Sequence, residues 1–213
     1  MLLSLLAAAI PFSEPQPMAE ERFQQWLLES DLQQLERGCT DPLIGATGGR
    51  QQEIRDRLLV LHPAPESFEL VMANATALLT CGSPDSAARV LNRISPAMGE
   101  ERRRWLRLRW QAAAAGLDHR EAALALRRLV NGDLIALASL ELGDGRLGVD
   151  QLAEHEAALG RQEEAAAVLL LAPKTQRLAQ AAEWLAGADA AAADQLLEQA
   201  LDQAAADQAW GLA

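Results

Sequence analysis

The stretch that decides the fold is ALLTCGSPDSAARVLNRISP, residues 77–96, which combines the end of one helix with the start of another. Gly82 suits the residue just past a helix C-terminus, where a positive φ costs glycine little. Ser83 suits the N-cap, Pro84 the first helical position and Asp85 the first turn, where a missing N–H and a negative charge are both favourable. The stretch therefore predicts a tight helical hairpin.

The same pattern of a turn glycine followed by helix-starting residues recurs further along the chain. Gly116 follows one helical pattern, and Asp118 with Glu121 three residues later has the spacing of a capping box. Gly160 and, more faintly, Gly187 mark later turns. These four turn glycines, Gly82, Gly116, Gly160 and Gly187, are 34, 44 and 27 residues apart, and the longest interval contains the Gly-rich insert NGDLIALASLELGDGRLG. A helix–turn–helix unit with a period near 34 residues is typical of arrays of helical hairpins.

These units resemble degenerate tetratricopeptide repeats, in which an alanine lies five residues after the turn glycine. Gly82 with Ala87 and Gly160 with Ala165 match that pattern, whereas the second copy is one residue longer. The large apolar residue four positions further on is matched by Leu91 and Leu169. Most aromatic positions of the family are lost, and Pro96 and Pro173 come early, so we expect short second helices. The resemblance covers roughly residues 66–204 and implies an all-α fold, a right-handed α-solenoid of antiparallel helix hairpins.

The domain organisation follows from these patterns. We expect residues 1–18 to be a leader that is either disordered or weakly signal-like, residues 19–65 to form N-terminal helices, and residues 66–213 to form the repeat domain. The chain ends on apolar residues, Trp210 and Leu212, where a solenoid normally carries a polar cap. This end predicts a truncated array or a docking contact, including a homo-oligomer. The Ala- and Gln-rich composition of the helices resembles that of bacterial repeat proteins.

Composition and charge narrow the classes of function. There is no Tyr and only three Phe, so a large β-sheet is not expected. The net charge of −11 argues against general nucleic-acid binding, which needs a basic surface. Residues 101–130, however, hold eight arginines and three acidic residues, a basic island of net charge +5 between two acidic stretches. The apolar run of residues 1–10 is too short for a membrane span and has no basic residue before it, so we expect a cytoplasmic protein, with a secretory signal as the alternative.

The sequence contains no strong catalytic signature. His62, His119 and His155 are widely separated and lack partners at metal-ligand spacing, so neither a metal site nor a cofactor is expected. His155, between two glutamates, is expected on a solvated helix face. Cys39 and Cys81 do not make a disulfide framework, and we expect two buried free thiols, with pairing as the alternative. We therefore predict that the chain is not an enzyme.

The segment EERRRWLRLRWQAAAAG is the candidate partner-binding site. On a helical wheel, Arg102 and Arg109 fall inside the apolar arc that contains Trp105 and Trp110. In tetratricopeptide-like arrays the first helix of each hairpin lines the concave face, so by this resemblance the four residues could form a basic, aromatic groove for an acidic peptide or helix. The alternative is that the arginines pair with neighbouring carboxylates and the tryptophans are core.

These observations favour an interaction scaffold or adaptor that docks a partner peptide or helix, for instance during assembly of a larger complex. Three alternatives remain open: a structural segment of a longer multidomain protein, a nucleic-acid binder using the arginine-rich helix, and an enzyme subunit with an unrecognised site. A fold that keeps the three histidines apart would count against the enzyme subunit.

Overall fold

A computed structural model describes residues 16–45, 49–62, 66–143 and 145–207 of the chain. Most residues of this part are helical and its only strands are two short ones, which confirms the all-α prediction. No helix within it is long and apolar enough to cross a bilayer. The helices are α1 (Glu20–Glu29), α2 (Leu32–Thr40), α3 (Arg50–Val60), α4 (Phe68–Thr80), α5 (Pro84–Leu91), α6 (Glu100–Ala115), α7 (His119–Leu129), α8 (Gly148–Ala158), α9 (Gln162–Leu169), α10 (Thr175–Leu185) and α11 (Ala190–Ala206).

From α4 onward the helices pack in neighbouring pairs. We call α4–α5, α6–α7, α8–α9 and α10–α11 the first to fourth hairpins, and each packs on the next through α5–α6, α7–α8 and α9–α10 contacts. Helices α5 and α9 contain only eight residues each, as the early prolines Pro96 and Pro173 predicted. The arrangement is compatible with a helical repeat. The right-handed solenoid and the tetratricopeptide assignment stay predictions.

The turns of the first three hairpins share one backbone motif. A residue with positive φ donates its N–H to the carbonyl three residues back, and the next residue donates to the carbonyl five residues back. Gly82 (φ 66°) and Gly160 (φ 77°) occupy this position in the first and third hairpins. In the second hairpin the position is held by Leu117 (φ 58°), because Gly116 has an ordinary negative φ of −85°.

The position of Leu117 therefore shifts the repeat register of the second hairpin by one residue relative to the register counted from Gly116. Counting from it, Ala122 lies five residues on, as Ala87 and Ala165 do in the other hairpins, and all three alanines are fully buried. The leucines four positions later are also buried: Leu91, Leu126 and Leu169. The second copy only looked longer because the left-handed residue of its turn is not its glycine.

The N-terminal helices are joined to the first hairpin by a disulfide. Helix α2 restarts the chain after α1 with a complete capping box of Asp31 and Gln34, and its Cys39 pairs with Cys81 at the end of α4, with 5.1 Å between the Cα atoms. Both cysteines are buried. The prediction of burial is confirmed, but the prediction of free thiols is wrong, since packing of α2 on α4 brings together two residues 42 positions apart.

The Gly-rich insert is a structured segment between the second and third hairpins. It contains a 3-10 helix, Leu134–Ala138, and the short antiparallel strands β1 (Glu141–Gly143) and β2 (Arg146–Leu147). Leu137 and Leu142 of the insert are buried. A Cβ added at Gly148, the first residue of α8, would lie 2.9 Å from Leu137 Cδ2, so a larger residue there would need the Leu137 side chain of the insert to move.

Several sequence predictions lie wholly or partly outside the described residues. The leader of residues 1–18 is described only from residue 16, and the apolar end with Trp210 and Leu212 is outside. The boundary between residues 65 and 66 stays a prediction.

Candidate partner-binding surface

The two tryptophans of the candidate site are core residues. Trp105 is 6% exposed and donates its indole N–H to the carbonyl of Leu91 at 2.9 Å, which ties α6 to the end of α5. Trp110 is 1% exposed. Neither ring is accessible to a partner in this conformation. Their role in binding stays a prediction, and no exposed surface of either ring supports it.

Arg109 is compensated within the chain. Its guanidinium lies over the Trp105 ring, 4.7 Å from the centroid, hydrogen-bonds the side chain of Asn92 and pairs with Glu121 at 3.1 Å. These contacts place it between α5 and α7, the second helices of two hairpins, and not on a face formed by first helices alone. The arrangement is the one that the pairing alternative predicted.

The outward side of α6 carries Arg103, Arg104 and Arg107, all exposed as the helical wheel predicted. Arg104 makes two hydrogen bonds to Glu69 of α4, at 2.7 and 2.9 Å, and lies over the Phe68 ring. The Arg104 guanidinium holds the pKa of the Glu69 carboxyl below its ordinary value, mainly through these hydrogen bonds. This side of α6 therefore links the first helices of consecutive hairpins.

Arg102 contributes to a different surface, which we call the basic groove. The groove has a volume of about 360 Å³ and is lined by Met98, Arg102, Arg127, Arg128, Asn131 and Gly132. Arg102 comes from the first turns of α6 and donates to the Pro96 carbonyl at 3.2 Å, while Arg127 and Arg128 come from the last turn of α7. Among the described residues that line it, none is acidic.

The charge in the basic groove is only partly neutralised. Within the described part of the chain, neither Arg102 nor Arg128 forms an ion pair, and no hydrogen bond engages the Arg128 side chain. Met98 beside them is 72% exposed. The groove thus combines two uncompensated guanidinium groups with an apolar side chain, an arrangement suited to carboxylates flanked by apolar residues.

Arg127 connects the groove to a buried carboxylate on the next hairpin. Glu156 of α8 is 1% exposed and accepts a hydrogen bond from Arg127 at 2.8 Å. Its second oxygen lies 3.1 Å from Arg161 Nε but at an angle that does not make a hydrogen bond, so this contact is an ion pair only. A buried carboxylate must be paired because desolvating an isolated charge is costly. Arg127 is therefore held in place by the third hairpin.

The structure overturns the prediction for His155 and brings two of the three histidines together. His155 is 5% exposed, not on a solvated face. It is also not separated from His119, because the two Nδ1 atoms lie 3.1 Å apart, and Trp110 Nε1 lies 3.2 Å from His155 Nε2. Packing of α8 on α7 brings together these two residues, which are 36 positions apart in the sequence. Within the described residues no cluster of three or more metal-ligating side chains forms.

Sequence reasoning missed most of the groove. Arg127 and Arg128 were counted in the basic island but not assigned to a site, although two arginines in the last turn of a helix are a recognisable C-terminal signal. Met98 carried no signal at all, since a single methionine before a helix predicts nothing about its exposure. The chain matches no protein family, no curated protein and no solved structure.

Proposed function

We propose that the chain is a protein-interaction module that docks an acidic peptide or helix of a partner in the basic groove. The observation that carries the proposal is that two guanidinium groups, Arg102 and Arg128, pair with no carboxylate of the described residues in a chain of net charge −11. Arginines elsewhere on α6 and α7 that face carboxylates are paired with them, as Arg104 is with Glu69 and Arg109 with Glu121. An acidic segment would complete the groove in the same way.

The partner chemistry follows from the side chains in the groove. A guanidinium binds a carboxylate through two parallel hydrogen bonds, and Arg102 and Arg128 both have N–H groups left for this purpose. Exposed Met98 adapts to apolar side chains of varied shape. A helix or peptide with glutamates beside leucine-like residues fits both features. We extend the proposal to a tetratricopeptide-like α-solenoid that serves as a scaffold or adaptor, since hairpins that pack in series form extended surfaces for partners.

The location of the protein is a proposal of the same kind. A cytoplasmic protein was expected from the sequence, but a buried disulfide between Cys39 and Cys81 favours an oxidising compartment, where disulfides persist. Fractionation of native cells with an antibody to the chain would separate the two locations.

The test measures binding of a labelled acidic peptide by fluorescence anisotropy. The probe is a helical peptide with glutamate and leucine at i, i+4 spacing. We expect Arg128→Glu and Arg102→Glu to weaken binding about tenfold or more each, which corresponds to about 1.4 kcal/mol. Arg120→Glu is the matched control. It changes the net charge equally, and Arg120 is exposed on α7 without an ion pair in the described residues and outside the groove.

Three outcomes would overturn the proposal: absence of binding to the wild-type chain, an equal loss of affinity for Arg120→Glu, and tighter binding to a DNA oligonucleotide of the same charge. The second would mean that net charge and not the groove attracts the peptide. The third would favour the nucleic-acid alternative. Circular dichroism of each variant separates loss of binding from loss of fold.

A further inference from the structure

Three ring side chains from three helices form one connected hydrogen-bonded chain, which we call the histidine relay. Trp110 of α6 donates its indole N–H to His155 Nε2 of α8 at 3.2 Å, and His155 Nδ1 lies 3.1 Å from His119 Nδ1 of α7. Trp110 and His155 are almost fully buried. The relay therefore joins the second hairpin to the third inside the core.

The relay permits a single arrangement of protons. An indole N–H can only donate, so His155 Nε2 must accept and its ring proton must be on Nδ1. That N–H then donates to His119 Nδ1, which must be bare, and neutral His119 carries its proton on Nε2. A proton added to His155 Nε2 would face the indole N–H, and one added to His119 Nδ1 would face the N–H of His155. Both histidines must be neutral for the relay to be intact.

The surrounding charges oppose protonation of His155 on balance. From α7 it faces His119, and Arg127 reaches Glu156 from the same helix. From the turn after α8, Arg161 also pairs with Glu156, and Arg146 of the insert lies over the Trp110 ring. Burial and the neighbouring His119 lower the pKa of His155 from 6.5 to about 4, whereas Glu156 acts in the opposite direction. Glu156, the carboxylate that favours the charged ring, is thus already engaged by arginines.

We propose that the histidine relay is an acid-sensitive contact, and that proton uptake breaks it and loosens the junction between the second and third hairpins. This inference goes beyond the proposed docking function and does not depend on it. The sign follows from linkage: a histidine whose pKa is lower in the folded chain than in the unfolded chain stabilises the fold above pH 6.5, and this stabilisation is lost progressively as the pH falls toward 4.

The test compares urea unfolding at pH 7.5 and pH 5.0. At pH 5.0 the unfolded histidine is mostly protonated and His155 mostly neutral, so this group raises the unfolding equilibrium constant about 30-fold. His155→Gln is the key variant, because a glutamine can accept from Trp110 and donate to His119 but does not titrate. It should lose most of this 30-fold change, whereas His62→Gln, outside the relay, should retain it.

Equal pH dependence of the wild-type chain and His155→Gln would overturn the proposal. A second measurement covers the case in which the variant fails to fold. Long-range ¹H–¹⁵N correlation spectra of the wild-type chain at pH 7.5 should show a proton on Nδ1 of His155 and on Nε2 of His119. Any other pair of tautomers would refute the relay directly, and loss of these signals at a pH where the rest of the fold persists would support it.

Discussion

The disulfide between Cys39 and Cys81 closes a covalent loop that joins α2 to the end of α4, and its removal has a calculable cost. The two cysteines are separated by 42 positions. Cross-linking a loop of this size removes about 13 cal/mol/K of entropy from the unfolded chain, which corresponds to about 4 kcal/mol at 25 °C. Since a domain of this kind has about 5–15 kcal/mol of total stability, the bond accounts for a large fraction of it.

We expect Cys39→Ala and Cys81→Ala each to lower the free energy of unfolding by about 4 kcal/mol. Either substitution abolishes the cross-link, so the double variant should lose only slightly more than each single variant, the difference being the packing of the second side chain. Urea unfolding followed by tryptophan fluorescence measures these values. The double variant also serves as the control for treatment with a reducing agent, which should destabilise the wild-type chain and leave the stability of the double variant unchanged.

A different pattern would refute this reasoning. If each single variant lost about half of the loss of the double variant, the two thiols would contribute through packing and not through a covalent loop. If the reducing agent had no effect on the wild-type chain, the cysteines would not be bonded in solution. Unequal denaturant slopes among the variants would identify a change in the compactness of the unfolded chain.

Two further predictions concern the hairpin core. Arg109→Glu should lower the free energy of unfolding by about 1–3 kcal/mol, because it removes the contact with Trp105 and places a carboxylate beside Glu121, whereas exposed Arg107→Glu should change it by less than about 0.5 kcal/mol. Equal effects in urea unfolding would contradict the placement of Arg109. Leu126→Ala, at a fully buried position, should cost about 2–5 kcal/mol in thermal unfolding. A loss below about 1 kcal/mol would contradict the corrected register.

Local signals predicted the hairpins well because the relevant physics is local. The turns at Gly82 and Gly160 depend on a positive φ that glycine adopts cheaply, and both are found. In the second hairpin the same requirement is met by Leu117, which pays a steric cost that no sequence pattern reveals. The turn chemistry was predictable, but which residue would adopt the left-handed conformation was not.

The long-range contacts were less predictable because they join distant parts of the chain. Cys39 with Cys81 and His119 with His155 depend on how one helical pair packs on the next, and this packing has no signature in single-sequence periodicity. The helical wheel placed Arg102 and Arg109 inside the apolar arc of α6, and both are half-buried in the structure. The helical wheel could not predict that Arg109 would form an ion pair with Glu121 while Arg102 would pair with no carboxylate of the described residues.

The basic groove has a consequence for the kinetics of an encounter. At low salt a chain of net charge −11 repels an acidic partner over a long range, whereas Arg102 and Arg128 attract it only at close approach, and at physiological salt both effects decay within a Debye length of about 8 Å. Salt would therefore shield the repulsion first, raising the association rate, while weakening the exposed contacts that hold the complex. Such a partner would arrive slowly and leave quickly, and discrimination between partners would rest on the lifetime of the complex.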